Sequence, residues 1–225
     1  MFNHGIGMLR RYFSGQWFRR FTLLCLSTLA GIIGPILFIL VVFIIDFIQP
    51  EHNPIYETVS ELVRGSYGWV QTISFVSFGV LLMVFALRLY VAILPKTSSI
   101  LGALFIGISG FSFLMLGAFP SEAGSLDSTT QLLLHNIAAG ITGASFILGC
   151  FSLSLYFRTD PRWTKYWIYT AITSIACLFF ALLWALTPLG LHAKGLDQLL
   201  MLVSGFIWLE VISIKLIRLC LVEKQ

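Results

Sequence analysis

Six stretches of this chain are each long and apolar enough to cross a lipid bilayer: residues 21–48, 67–93, 98–119, 130–157, 163–187 and 196–221. A helix crosses the hydrocarbon core with about 20 residues. Inside lipid every backbone N–H and C=O needs an internal partner, so such segments are helices. The expected fold is therefore all-α: a polytopic membrane protein, a bundle of six transmembrane helices. Residues 1–20 read as an N-terminal arm rich in Arg and aromatic residues, suited to an interfacial helix, and 21–221 as one transmembrane domain. No segment between the spans is long enough to bury a core of its own. The first apolar run far exceeds a signal-peptide core of about 7–15 residues and reads as an uncleaved span.

Charge is scarce, at 11% of residues, and its placement carries the topology. Of the 14 Lys and Arg, all but Arg64 and Lys194 fall on one side of the alternating spans. That bias places both termini in the cytoplasm. The formal charge of +4 does not point to nucleic acid, because the basic residues lie at helix ends and not on one soluble face. The four cysteines, Cys25, Cys150, Cys177 and Cys220, sit in apolar segments without close spacing and read as small packing residues. Ala103, Gly107, Gly110 and Gly117 in the third span, and Ala139, Gly143, Cys150 and Ser154 in the fourth, form close-packing stripes.

The acids show the opposite bias. Asp46, Glu51, Glu57, Glu61, Glu122, Asp127 and Asp197 lie at or beyond the outer ends of the spans, with His52, His135 and His192. After Pro54 the spacing predicts an amphipathic surface helix, with Glu57, Ser60, Glu61 and Arg64 on its polar face and Ile55, Val59, Leu62 and Val63 on the other. The stretch 119–136 feeds His135 and Asn136 into the fourth span, where each buried polar group needs a partner. We expect His135, Asn136, Asp127 and Glu122 to converge near the outer mouth with the segment Tyr56–Arg64, including Tyr56, Ser60 and Glu61.

Three readings of these residues are open. They fill loops from which topology excludes Lys and Arg; or they bind a lipid headgroup or small polar ligand between helix mouths; or His52, His135 and His192 hold a metal that activates water. The three histidines lie in separate segments with no local pair, so no metal and no cofactor is expected. Glu210 is the one acid well inside a span. It reads as paired with Arg88 at a similar depth, or as a proton-coupling group.

The segments Tyr56-Glu-Thr-Val-Ser-Glu-Leu62, Phe119-Pro120 and His135-Asn-Ile-Ala-Ala139 resemble the six-span bacterial and archaeal family catalogued as domain of unknown function 998, over most of the chain. More remotely, span count and loop character are similar to the DRAM-type and Frag-type membrane proteins. The resemblance implies six membrane helices, no established activity, and an acid directly after the aromatic–Pro pair. Here Ser121 intervenes and Glu122 stands one place further on.

The function expected is non-enzymatic: a multi-pass protein of the cell membrane, in bacteria the inner membrane, that binds or handles a lipid or small amphiphile at its outer face. The alternatives are a metal-dependent membrane hydrolase with a His/acid site at that face, and a small proton-coupled transporter using Glu210. Expected partners are membrane lipids and a small amphiphilic ligand.

Overall fold

The structure is a computed structural model that describes residues 25–93, 95–121, 128–186 and 193–222. Its long helices are α1 (Ala30–Ile48), α2 (Gly68–Ala92), α3 (Thr97–Ala118), α4 (Ser128–Phe157), α5 (Trp167–Leu186) and α6 (Lys194–Val222). Among the described residues six spans of 22 to 28 residues are long and apolar enough to cross a membrane. Two short 3-10 helices, Val59–Arg64 and Thr164–Tyr166, lie between spans at opposite ends of the bundle. The expected N-terminal arm lies outside the described residues.

Consecutive helices pack against each other all the way round, and α6 returns to pack on α1, so the bundle is a closed ring. A knot of phenylalanines fills its middle. Phe38 of α1 lies 5.4 Å from Phe75, 5.3 Å from Phe78, 6.0 Å from Phe113 and 5.6 Å from Phe206, ring centroid to centroid. The rings meet edge-on or tilted, the arrangement that aromatic quadrupoles favour. Further toward the basic end, Trp208 meets Phe85 and Phe146 edge-on, and its indole N–H donates to Thr170 Oγ1 at 3.0 Å. In lipid there is little hydrophobic drive between helices, so this packing and close backbone approach hold the ring together.

The glycines supply the approach between α2 and α3. A Cβ on Gly79 would lie 2.7 Å from Gly110 O and 2.9 Å from Leu114 N, and one on Gly110 would lie 3.0 Å from Gly79 O. Gly110 belongs to the small-residue stripe expected of the third span; Gly79 is its counterpart on the facing helix. Cys150, Cys177 and Cys220 form no disulfide and are buried in helix packing.

Two expectations need correction. The segment after Pro54 is not an amphipathic α-helix: only Val59–Arg64 is helical, and it is a 3-10 helix. At three residues per turn, i and i+3 share a row. Val59 and Leu62 form one buried row, Ser60 and Val63 a second, and Glu61 and Arg64 the polar third. Ser60 therefore faces inward, not outward with the acids.

The second correction concerns Glu210 and Arg88. Among the described residues no ion pair includes either. Arg88 is buried and donates through Nη2 to Cys220 Sγ at 3.2 Å. Cys220 is ten residues beyond Glu210, about 15 Å further along α6 at 1.5 Å per residue. Arg88 stands four residues from the inner end of α2 (92 − 88) and Glu210 twelve from that of α6 (222 − 210), so the two are not level.

The glycine seam makes a prediction. Gly79→Leu forces atoms into the Gly110 and Leu114 backbone, and we expect it to cost about 1–3 kcal/mol of stability. Gly140 has nothing within 4 Å of a built Cβ, so Gly140→Ala should leave stability unchanged. Thermal unfolding of the two variants in detergent checks the contrast.

Candidate functional site

Helix α3 ends at Ala118 on the acidic side of the bundle. The last carbonyls of any helix lack intrahelical donors and need others, above all at a membrane boundary. Past that end, three side chains from two other elements hold the three consecutive carbonyls of residues 119–121, the strap that leaves α3. His135 Nδ1 donates to Phe119 O at 2.7 Å, Gln131 Nε2 to Pro120 O at 2.8 Å, and Arg64 Nε to Ser121 O at 3.2 Å. Ser121 returns the contact by donating its hydroxyl to Ser60 O at 3.1 Å. Gln131 and His135 are four residues apart on α4, one turn, and so face the strap together.

The 3-10 helix that supplies Arg64 and Ser60 is itself pinned. Thr58 and Glu61 form a capping box: Thr58 N and Oγ1 both donate to Glu61 Oε2, at 2.6 and 3.0 Å. Such a box satisfies helix-start donors that would otherwise be lost. Glu61 Oε1 takes Lys194 Nζ at 3.1 Å and Arg64 Nη1 at 3.2 Å. Gln198 Oε1 accepts Val59 N at 2.8 Å, so the start of α6 is tied to the same turn. Gly195 completes the seat: a Cβ there would collide with Glu57 O and Pro54 O.

Next to this network, at the mouth of the α1–α6 seam, His52 Nδ1 meets Asp46 Oδ1 at 2.7 Å and Nε2 meets Thr58 O at 3.2 Å. Both ring nitrogens face acceptors. Asp46, His52, Pro54, Glu57 and Gly195 line a crevice of about 130 Å³, closed below by Val42, Phe43 and Leu199. Phe43 and Leu199 also line a groove of about 420 Å³ that continues along the seam, between Pro35, Ile36, Ile39 and Leu40 of α1 and Val203, Phe206, Ile207 and Glu210 of α6. The two cavities share Phe43 and Leu199 in their lining; both are mainly apolar, with Asp46, His52 and Glu57 at the first and Glu210 at the second.

The expected cluster forms in part. His135, Ser60 and Glu61 are joined through Phe119, Ser121 and Arg64. His135 is 3% exposed, so its ring points into the bundle. Asn136 is exposed, because neighbouring helix positions point about 100° apart, and Tyr56 at 62% exposure projects from the preceding turn. Asp127, Glu122 and His192 lie outside the described residues. Of the remaining histidines, His52 and His135 have different partners, and no three His, Cys, Asp or Glu side chains among the described residues could share a metal. Sequence reasoning missed Gln131, Gln198 and Lys194 as network members. The one-turn spacing of Gln131 and His135 was the available signal; the other two depend on which helices are neighbours.

Glu61 makes a pH prediction. Burial pushes its carboxyl up, but the Thr58 N–H, the Lys194 ammonium and the Thr58 hydroxyl outweigh that and hold it below its ordinary value of 4.5. A depressed carboxyl stabilises the fold fully above its unfolded value and loses that contribution as pH falls through the lower folded value. The wild type should therefore lose stability as pH is taken below about 4.5. Glu61→Gln should be less stable at neutral pH by about 1 kcal/mol, a discounted figure for a partly exposed group, and show a flatter acid limb. Melting temperature against pH for both proteins checks it.

No curated protein and no solved structure matches the chain. A family profile described as "Protein of unknown function (DUF998)" matches residues 32–215, from within the first span to within the sixth, and takes in every residue of the carbonyl-holding network. The chain belongs to that family.

Proposed function

We propose that this multi-pass membrane protein binds an amphiphile along the α1–α6 seam, its tail in the apolar groove and an amine-bearing head in the Asp46–His52–Glu57 crevice. One observation carries the reading: Phe43 and Leu199 line both cavities, so an apolar groove lies directly against a crevice that carries Asp46, His52 and Glu57. From Pro35 to Asp46 the channel follows α1 for about 17 Å at 1.5 Å per residue, room for one hydrocarbon chain. Ile36, Leu40, Phe43 and Ile207 are half exposed along it, which suits lateral entry from lipid. Two carboxylates against one imidazole leave the head chamber net negative, and that favours a cationic head. The Glu57 carboxylate accepts Asn53 N at 2.7 Å and is thereby held in place at the rim.

A proton-coupled transporter draws less support. Glu210 faces the seam and not the bundle axis, and phenylalanines occupy the middle of the ring. A metal-dependent hydrolase draws none from His52 and His135, whose partners differ.

The test uses two fluorescent probes with the same long alkyl chain, one ending in an amine and one in a sulfate, added to purified protein in detergent. We expect the amine probe to bind more tightly. Asp46→Asn should weaken the amine probe alone, by about three- to fivefold for the loss of one partly exposed charge. Leu199→Trp, which fills the junction of the two cavities, should weaken both. Equal binding of both probes by wild type, or no effect of L199W, would overturn the reading.

A further inference from the structure

At the opposite end of the bundle the loop from α4 to α5 and the last turns of α6 gather cations. Asp160 is 3% exposed and wholly engaged: Arg162 forks onto it, with Nη2 to Oδ2 at 2.8 Å and Nε to Oδ1 at 3.2 Å, the Arg162 backbone N–H adds a bond at 2.9 Å, and the Tyr156 hydroxyl donates to Oδ2. The Arg162 guanidinium, and with it the Tyr156 hydroxyl, holds the carboxyl well below the usual carboxylate range. This acid is therefore ionised and already spent on its own loop.

Lys215 lies in the reach of that loop. Its Nζ stands 5.9 Å from the centroid of the Trp163 ring and 5.9 Å from that of Tyr166, two rings that meet at 68° and form a corner around the ammonium. Trp163 is fully buried and stacked flat on Phe157 at 4.5 Å, so the corner is rigid. The charges that bear on Lys215 are Arg162, Arg218 and Lys165, with Asp160 as the one acid among them. Arg162, Lys165 and Arg218 are exposed. Beside them Arg158 lies over the Trp167 ring at 5.6 Å.

Four cations therefore converge with one carboxylate that Arg162 has claimed. Topology requires basic residues at this end of the spans, but it does not require Arg218 one helical turn from Lys215, or Lys165 between the Trp163 and Tyr166 that hold it, where like charges repel. Held ammonium and guanidinium groups beside tryptophan and tyrosine, at the level where the spans meet the interface, match the anionic headgroup and glycerol region of a phospholipid. We propose that Arg162, Lys165, Lys215 and Arg218 form a binding site for the headgroup of an acidic phospholipid in the leaflet bordering this end of the bundle. The site is separate from the α1–α6 seam and does not rest on the function proposed for it.

The test is lipid selectivity of the full chain in phosphatidylcholine bilayers, read by spin-labelled phosphatidylglycerol against spin-labelled phosphatidylcholine. The wild type should prefer the acidic lipid. Arg218→Gln alters an exposed side chain with no hydrogen bond among the described residues, so the fold should tolerate it. It should lower the preference by up to about fivefold, the worth of one basic residue near a charged lipid surface, and Lys215→Gln should lower it further. Lys96→Gln, at the same end but bound to Thr159 Oγ1 and outside the cluster, should leave it unchanged. Soluble glycerol phosphate should not displace the lipid. Absence of preference in the wild type, an equal loss in K96Q, or displacement by glycerol phosphate at millimolar concentration would each overturn the proposal, the last by making the site one for a free phosphate.

Discussion

A helix that stops at a membrane boundary leaves carbonyls without donors, and the acidic end of this bundle is built around that need. Phe119, Pro120 and Ser121 each present a carbonyl, and His135, Gln131 and Arg64 each supply a donor. The donors come from α4 and from the 3-10 helix, so the contacts that cap α3 also fix where those two elements sit. Arg64 can reach Ser121 only because Glu61 anchors its helix to Thr58 and Lys194. Lys194 and Gln198 then bring the start of α6 to the same place. The crevice at Asp46 and His52 exists because this chain of contacts holds residues 52–58 over the α1–α6 seam.

The two ends of the bundle treat charge differently. At the acidic end Glu61 faces Lys194 and Arg64, while Asp46 faces the His52 ring and Glu57 accepts a backbone N–H. At the basic end Arg162 meets Asp160, while Lys215 is held by aromatic faces. Cation–π contacts position a charge without neutralising it. The acidic end is thus only partly balanced within the protein, and the basic end carries its charge outward.

The six spans were legible because each is an apolar run of membrane length, a signal that needs no knowledge of neighbours. The meeting of residues 56–64 with 119–121 and 135 was legible in outline, because a buried His at a helix mouth has few partners within reach. What could not be read depends on period or depth. Over six residues, periods of 3.0 and 3.6 barely separate, so the 3-10 helix looked like an amphipathic α-helix and Ser60 was placed on the wrong face. Arg88 and Glu210 both fall toward the basic ends of their spans, but being in the same half of two helices does not bring two side chains to one level or one face. The seam groove was hidden for a third reason: its lining comes from the first and last helices, and apolar spacing says which face of a helix is buried but not which helix covers it.

The closing of the ring between α1 and α6 has a consequence for how the molecule assembles. Every other seam joins helices adjacent in sequence, whose partners enter the membrane one after the other. The α1–α6 seam joins the two ends of the described chain, and Phe38 meets Phe206 across a sequence separation of 168 (206 − 38). Contacts of such long separation form last, because loop-closure entropy is lost before they repay it. During synthesis the α1 face that later lines the groove is covered by lipid, and α6 must displace that lipid to shut the ring.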